Sequence, residues 1–271
     1  MNMRCCSTRL LLAAGIFIGV TGCGALPDGS RWGQDAFSSF DSDRIARAAR
    51  KAFWHPNTLV PLAGAAVFAI DDFDERASDW AVKHTPLFGS ESNARDASND
   101  LKLVLSVEAL VTALATPSGD DPESWTYAKL KGMAVEAGAV AATQGLTGLL
   151  KSATGRERPD QSNDNAFPSG HSSSAFAYAT LSNRNLDHMN VSPTARSVLQ
   201  IGNFVTAGGV AWARVEGRRH YPSDVLFGAA LGHFLAAFIH DAFLNLPDRD
   251  TVQLTGLPVE AGVGLQLAVP F

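Results

Sequence analysis

The sequence contains little cysteine. Only three of its 271 residues are cysteines, and two of them, Cys5 and Cys6, lie within the first ten residues. If the N-terminal segment is removed as a signal peptide, Cys23 is the one that remains, and a disulfide within the mature chain is excluded. We therefore expect a fold without disulfides, and Cys23 needs another explanation.

Long uninterrupted apolar runs are also missing. The two best candidates for a membrane span are residues 225–239, which contain His233, and residues 132–150, which contain Glu136 and Gln144. A spanning helix needs about 20 predominantly apolar residues, and a hydrophobic content of 46% is ordinary for a soluble protein. The sequence favours buried core helices over a polytopic membrane protein and leaves shallow membrane contact open.

An excess of positive charge is absent too. The chain has 22 Lys and Arg against 27 Asp and Glu, a net charge of −5. Loss of Arg4 and Arg9 with a signal peptide would leave 20 basic residues and a net charge of −7. An acidic protein is a poor candidate for binding nucleic acid, and any attraction to an anionic substrate must come from local charges.

The N-terminus has the pattern of a bacterial lipoprotein signal. Two arginines precede an apolar core of about eleven residues, and Val20-Thr21-Gly22-Cys23 resembles a lipobox. We expect residues 1–22 to be removed and Cys23 to be lipidated, which places the protein in the cell envelope, facing the periplasm. Gly24 favours the outer membrane by resemblance to enterobacterial sorting. An uncleaved anchor is the alternative, but the core is short of the ~20 residues of a span.

The rest of the sequence divides into three parts. Residues 23–40 are rich in Gly, Ser, Pro and Asp, which is typical of a tether. Residues 41–246 show repeated helical periodicity and predict one mainly α-helical bundle with its motifs at helix ends. Residues 247–271 alternate in period two and predict a short β-hairpin extension. Helices are expected at residues 44–54, 59–70, 100–115, 122–152, 170–182, 195–214 and 223–244.

Two further segments have competing interpretations. The acidic residues 71–75 lack the ligand spacing of a calcium loop, so we expect a solvated turn with helix-capping acids rather than a cation site. The C-terminal strands are either packed on the helices or form a docking edge for a membrane or partner protein. Packing is favoured because exposed strand edges are a liability.

Basic residues precede and follow a turn that opens a helix. Lys151 and Arg158 come before Pro168-Ser169-Gly170-His171, and Arg214 comes about forty residues after it. A phosphomonoester carries nearly two negative charges, so its site needs cations and inward-pointing backbone N–H groups. The first turn after Ser169 offers such N–H groups, and Gly170 allows close approach of the backbone. The pattern predicts a phosphate site.

Two histidines and one aspartate complete this set. An imidazole titrates near neutrality and can act as a nucleophile or as a proton donor. In His220-Tyr221-Pro222-Ser223-Asp224 the proline fits the first turn of a helix, so Asp224 can reach back towards His220. A carboxylate that accepts one ring N–H leaves the other nitrogen free to attack phosphorus. We predict that His220 is the nucleophile, Asp224 orients it, and His171 is the general acid and base.

These segments resemble a known three-part signature. KSATGRERP (residues 151–159), PSGH (168–171) and RVEGRRHYPSD (214–224) are similar to the type 2 phosphatidic acid phosphatase and vanadium haloperoxidase superfamily. The resemblance implies a phosphohistidine on the third-motif histidine and a metal-independent reaction. It also implies that phosphate is bound by Lys151, Arg158, Ser169, Gly170 and Arg214. Two departures are an alanine before Arg214, where serine is frequent, and a short segment between the first two motifs.

The sequence thus predicts a lipid-anchored phosphatase that cleaves phosphomonoesters or pyrophosphates. The anchor favours phosphorylated lipids as substrates, and a broad-specificity periplasmic acid phosphatase acting on soluble esters is the alternative. Two alternatives from other functional classes are a vanadium-dependent haloperoxidase and a non-catalytic envelope lipoprotein. We expect no cofactor and no metal, with vanadate as an inhibitor. The oligomeric state is not predicted.

Overall fold

The computed structural model describes residues 22–26, 29–38 and 41–246, and the backbone of residues 253–259 and 262–268. Helices dominate these residues, so the predicted mainly α-helical bundle is confirmed. The helices are α1 (Ser42–Trp54), α2 (Pro56–Phe68), α3 (Phe73–His84), α4 (Glu91–Ala115), α5 (Pro122–Thr154), α6 (Gly170–Asp187), α7 (Pro193–Glu216) and α8 (Pro222–Phe243).

Side-chain caps fix where the long helices begin. Ser90 accepts a hydrogen bond from the Asn93 N–H at the start of α4, and Asp121 accepts one from the Ser124 N–H at the start of α5. Ser192 caps α7 in the same way. Prolines occupy the first position of α5, α7 and α8, where a missing N–H costs nothing. Residues just outside these helix ends are therefore held in defined places.

Helix α6 lies at the centre of the bundle and packs against α4, α5, α7 and α8. Its approach to α8 is close because α8 carries glycines at the contact. A Cβ atom at Gly232 would lie 2.1 Å from the Ser173 carbonyl oxygen, and one at Gly228 would lie 2.7 Å from the Ser169 carbonyl oxygen. The N-terminal ends of α6 and α8, which carry two of the predicted motifs, are thereby brought side by side.

The structure differs from the sequence prediction at α3 and the start of α4. Residues 71–75 were expected to form a solvated turn, whereas α3 begins at Phe73 and buries Asp74 to 2% exposure. Helix α4 begins at Glu91 rather than at residue 100. Both stretches are rich in charged and polar residues, so periodicity gives little signal, and contacts with distant residues stabilise them instead.

The segment predicted as a tether packs against the bundle in its described part. Trp32 is completely buried, and its ring fills the space above Gly132, where a Cβ atom would lie 2.2 Å from the ring. Its backbone N–H donates to the Pro117 carbonyl at 2.8 Å. Composition alone gave no sign of this contact, because one aromatic residue determines it.

The C-terminal backbone forms an antiparallel hairpin, as the alternating pattern predicts. Strand β1 (Gln253–Val259) pairs with β2 (Gly262–Ala268), with Gln253 opposite Ala268 and Val259 opposite Gly262. The two predictions for this hairpin, packing on the helices and docking to a membrane or partner, concern contacts that lie outside the described residues.

Among the described residues, one helix is long and apolar enough to cross a membrane by length and composition. It is α8, and 61% of its most apolar window is buried inside the bundle. Buried core helices of soluble proteins pass the same test.

Replacing Trp32 with alanine tests the packing of the N-terminal segment. We expect a loss of about 3–5 kcal/mol in the free energy of unfolding, because a large ring leaves a cavity against Gly132. Urea denaturation of the purified protein measures this loss. Trp80→Ala is the matched control, since Trp80 is 51% exposed. A tether without packing would make the two variants equally stable.

Candidate active site

The turn between α7 and α8 brings Arg214 and His220 together. Backbone N–H groups of Arg219 and His220 both donate to the Arg214 carbonyl, at 3.0 and 3.2 Å. Arg214 lies in the last turn of α7, and His220 comes two residues before α8 begins at Pro222. Two residues that the sequence assigned to one site are therefore joined by local structure.

His220 is buried, and one of its ring nitrogens is held by the backbone. Its Nδ1 atom lies 2.6 Å from the carbonyl oxygen of Ala166. Because a carbonyl can only accept, Nδ1 carries the proton in this contact and the other nitrogen, Nε2, is unprotonated. An unprotonated Nε2 is the state required of a nucleophile.

Asp224 lies next to His220 but is not its hydrogen-bond partner. Its Oδ2 atom is 3.8 Å from Nδ1 of His220, beyond hydrogen-bond distance, and instead accepts from the Tyr221 N–H at 2.8 Å. The other oxygen, Oδ1, accepts from Nη1 of Arg156 at 2.8 Å. The direct hydrogen bond expected from the sequence is thus replaced by the Ala166 carbonyl, with the Asp224 charge close by.

The N-terminus of α6 is built as the sequence predicts. Ser169 is the N-cap, and its side chain accepts from the Ser172 N–H at 3.4 Å. The Ser169 N–H donates to the Asp224 carbonyl at 3.0 Å, which links the second and third motifs. A Cβ atom at Gly170 would make an ordinary contact, 3.9 Å from Cε of Lys151. The fold therefore does not itself require glycine at this position, and its role in anion approach stays a prediction.

Three cations surround these groups. Lys151 ends α5 and donates to the Asn165 carbonyl at 2.6 Å, and Nη1 of Arg214 donates to Oγ of Ser98 at 3.1 Å. The Nε atoms of Arg158 and Arg214 are buried and have no partner within the part of the chain that the structure describes. These guanidinium groups keep donors that the protein does not use, as a site for a multiply charged anion requires.

His171 begins α6 and contacts α4. Its Nε2 atom lies 2.8 Å from Oδ1 of Asn99. Since an amide oxygen accepts, this contact is a donation from the Nε2 proton of His171. This contact fixes the orientation of the ring.

Burial and neighbouring charges shift the pKa values of these groups. Burial lowers the pKa of Lys151 to about 8, and repulsion from Arg158 adds to this. Burial and then repulsion from Arg214 lower the pKa of His171 to about 3. Burial also lowers the pKa of His220 to about 4, although Asp224 acts in the opposite direction. Both histidines are therefore neutral at pH 7 until a bound anion offsets the surrounding positive charge.

Sequence reasoning missed four contributors to the site. Ser98 and Asn99 lie in the part of α4 that was not predicted as helix, and Asp74 was placed in a solvated turn. Arg156 stands inside the first motif, where only Lys151 and Arg158 received roles. In the structure it forms ion pairs of 2.8 Å with both Asp74 and Asp224. The charged pair Arg156–Asp74 excludes the solvated turn, because it buries the carboxylate.

Part of the chain is similar to known proteins. Residues 134–247 match the PAP2 superfamily, and this region contains all three motifs. These residues form a PAP2 domain. The lipid A 1-phosphatase of Porphyromonas gingivalis is 35% identical to the chain over 114 residues, which is 41% of this chain and 24% of that protein. The chain thus matches about a quarter of the length of that relative.

A solved structure shows the same fold. It is the crystal structure of a transmembrane PAP2-type phosphatidylglycerolphosphate phosphatase from Bacillus subtilis, with a TM-score of 0.50 and 21% identity. The likeness covers 68% of this chain and 92% of the other. It therefore extends beyond the matched sequence region into the helices that precede it.

The groups brought together here are those that binding and attack of a phosphate group would need. Lys151, Arg158 and Arg214 provide positive charge, and the first turn of α6 provides N–H groups. His220 and His171 are the two groups able to move a proton or form a covalent bond. Among the described residues, no three His, Cys, Asp or Glu side chains converge as metal ligands. The assigned roles, and the independence from metals, remain predictions.

The pKa of Lys151 makes phosphate affinity dependent on pH. Lys151 is charged below about pH 8 and loses its charge above it. We expect the affinity for inorganic phosphate to fall as the pH rises from 7.5 to 9.5, by up to about tenfold per pH unit above that value. Calorimetric titration at several pH values measures it. Lys151→Arg stays charged throughout this range, so an equal fall in that variant would contradict the assignment.

Proposed function

We propose that this chain is a metal-independent phosphatase that transfers a phosphoryl group to Nε2 of His220. The observation that carries the proposal is the contact between Nδ1 of His220 and the Ala166 carbonyl, which leaves Nε2 unprotonated within a group of three cations. A neutral imidazole in this setting can attack phosphorus without first losing a proton.

The first half of the reaction breaks the ester bond. The phosphate oxygens are held by Lys151, Arg158, Arg214 and the N–H groups of the first turn of α6. Nε2 of His220 forms a bond to phosphorus as the bond to the leaving oxygen breaks. His171 gives its proton to that oxygen. The negative charge of the bound phosphate raises the pKa of His171 from its low value in the free enzyme, so the proton is present when needed.

The second half releases phosphate. His171, now neutral, takes a proton from water, and the resulting hydroxide attacks the phosphorus of the phosphohistidine. The bond between phosphorus and Nε2 breaks, inorganic phosphate leaves, and His171 is again protonated. Lys151, Arg158 and Arg214 stabilise the charge that develops on the equatorial oxygens in both steps.

Phosphorylated lipids are the substrate class that we propose. The relatives named above are a lipid A phosphatase and a phosphatidylglycerolphosphate phosphatase. The helices that carry and flank the site also expose many large apolar side chains, and contiguous exposed apolar surface marks interaction sites. On α4 and α5 these side chains are Leu103, Val104, Val107, Leu110, Leu114, Leu130, Leu146 and Leu149. Contact with a membrane accounts for this surface and supplies a lipid substrate.

The cell envelope is the proposed location. The lipobox-like sequence that ends at Cys23 supports removal of residues 1–22 and lipidation of that cysteine, with the protein facing the periplasm. Gly24 supports the outer membrane. Mass spectrometry of the protein purified from membranes tests this. An N-terminal peptide that still contains residues before Cys23 would reject the anchor.

Phosphate release with His220→Ala alongside is the direct test of the activity. We expect the wild type to release phosphate in the presence of a chelator, and His220→Ala to lose on the order of 10³-fold or more in kcat, because no intermediate can form. His84→Ala is the control, since His84 is an exposed histidine of α3 whose ring bonds to and stacks on Trp80 of the same helix. Full activity in His220→Ala would refute the mechanism.

The substrate panel in the same assay separates lipid from soluble substrates. It includes phosphatidic acid, phosphatidylglycerol phosphate and lipid A in mixed micelles, and p-nitrophenyl phosphate in water. A lipid phosphatase has the higher kcat/KM for a lipid, whereas equal or higher values for the soluble ester favour a broad-specificity acid phosphatase. Halide oxidation that appears only after vanadate is added would indicate the haloperoxidase.

Replacing His171 should lower kcat to an extent that depends on the leaving group of the substrate. A p-nitrophenolate leaves readily without a proton, but a lipid alkoxide does not. We expect His171→Ala to lower kcat by on the order of 10²–10⁴-fold for an alkyl phosphate and by much less for p-nitrophenyl phosphate. Steady-state kinetics on both substrates measure the ratio. Equal losses on both would mean that His171 is not the general acid.

A further inference from the structure

Arg156 lies between two buried carboxylates. Its Nη2 atom is 2.8 Å from Oδ2 of Asp74, and its Nη1 atom is 2.8 Å from Oδ1 of Asp224. Nη1 also donates to Oγ of Ser223 at 2.8 Å. The guanidinium group stacks over the ring of Tyr221, 4.3 Å from its centroid. Contacts on these sides fix the position of Arg156.

This guanidinium group determines which way Asp224 faces. The hydrogen bonds from Arg156 to Oδ1 and from the Tyr221 N–H to Oδ2 fix the plane of the carboxylate, with neither oxygen within hydrogen-bond distance of His220. The Oδ2 atom therefore stays 3.8 Å from Nδ1 of His220, and the Ala166 carbonyl receives the Nδ1 proton. Arg156 also neutralises part of the negative charge that His220 experiences.

Asp74 attaches helix α3 to the same structure. It is 2% exposed, accepts from the Ser223 N–H at 2.8 Å and also accepts from the Ser223 hydroxyl. Ser223 lies in the first turn of α8, directly after the turn that carries His220. Asp74 lies outside residues 134–247, so a part of the chain beyond the PAP2 match reaches into the site.

We propose that Arg156 is a positioning residue for His220, acting through Asp224, and that Asp74 holds Arg156 in place. The expected effect on catalysis rests on the function proposed above. The expected effect on the position of Asp224 and on the protonation of His220 does not. Without Arg156, Oδ1 of Asp224 loses its cationic partner, and the carboxylate can turn about its remaining contact with the Tyr221 N–H towards Nδ1 of His220 and form a direct charged pair. That pair favours the protonated imidazole, which cannot attack phosphorus.

The variant Arg156→Gln tests this role through kcat and through pH dependence. We expect kcat to fall about 10–100-fold, as for other groups that orient a catalytic histidine. KM should change little, because Arg156 is committed to carboxylates rather than to phosphate. The acid limb of kcat/KM, set by His220 in the free enzyme, should move up by about one pH unit or more. A purely structural role would lower activity without moving this limb.

Two further variants guard against misfolding and against a general charge effect. The double variant Arg156→Gln/Asp74→Asn removes the guanidinium charge together with the charge of one of its carboxylate partners. Only Asp224 is then left without its cation, so the cost in folding stability is smaller. The acid limb of kcat/KM should move up as it does in Arg156→Gln. Arg219→Gln removes a cation from a nearby ion pair with Asp160, which is 2.7 Å long and does not touch Asp224. An equal shift in Arg219→Gln would overturn the proposal, because distance-independent loss of charge would then explain it.

Titration of His220 by NMR, with nitrogen-labelled histidine, keeps this inference separable from the activity. The imidazole nitrogens report the protonation of His220 whether or not the enzyme turns over. An upward shift in both Arg156 variants, but not in Arg219→Gln, supports positioning even if no phosphate release is found. An unchanged His220 titration in the Arg156 variants overturns the proposal even if the enzyme is an active phosphatase.

Discussion

Repulsion between like charges at one end of a helical bundle is the constraint on which the site depends. Burial lowers the pKa of Lys151, Arg158 and Arg214, and repulsion from nearby cations lowers it further, from Arg158 at Lys151 and Arg214 and from Arg219 at Arg158. Such a group stays together only if the backbone around it is fixed and carboxylates lie close by. The caps, the glycine contacts between α6 and α8, and the turn that joins α7 to α8 provide that rigidity, while Asp160 and Asp224 provide opposing charge. In the function proposed above, a bound phosphate would complete the balance.

Most of the fold followed from local sequence signals. The long apolar or amphipathic helices, their prolines and their capping residues were readable, and so was the period-two C-terminal segment. Helix α3 was not, because its twelve residues are mostly polar and its burial of Asp74 depends on an arginine 82 residues away. Trp32 was missed for a related reason, since a single ring packing on Gly132 leaves no periodic pattern.

The structure brings the predicted site residues together, but their connections differ from those that the sequence suggests. The three motifs do meet, with the cations, the N-cap Ser169 and both histidines in one region. The sequence assigned the Nδ1 contact of His220 to Asp224, whereas the structure places the Ala166 carbonyl there. A backbone acceptor carries no residue signature, so no sequence pattern could have indicated it. Arg156 was visible as a third basic residue in the first motif, but only the buried carboxylates reveal what it does.

The start of the N-terminal segment meets the bundle near the first turn of α5, whereas Lys151 lies near the last turn of the same helix. The Gly22 carbonyl accepts from the Ser118 N–H at 3.1 Å and from Nε1 of Trp125 at 2.8 Å. Trp125 and Lys151 stand at opposite ends of α5, about 39 Å apart at 1.5 Å per residue.

An acyl chain on Cys23 would therefore secure one end of the molecule and leave the phosphate site more than a bilayer core's thickness away. Lipids of the same leaflet can reach that site only if the bundle lies along the membrane, on the apolar side chains that α4 and α5 expose between the two ends. A bundle that stands upright would instead present its site to a facing membrane or to soluble phosphates. The angle between bundle and membrane thus decides which phosphates the enzyme meets.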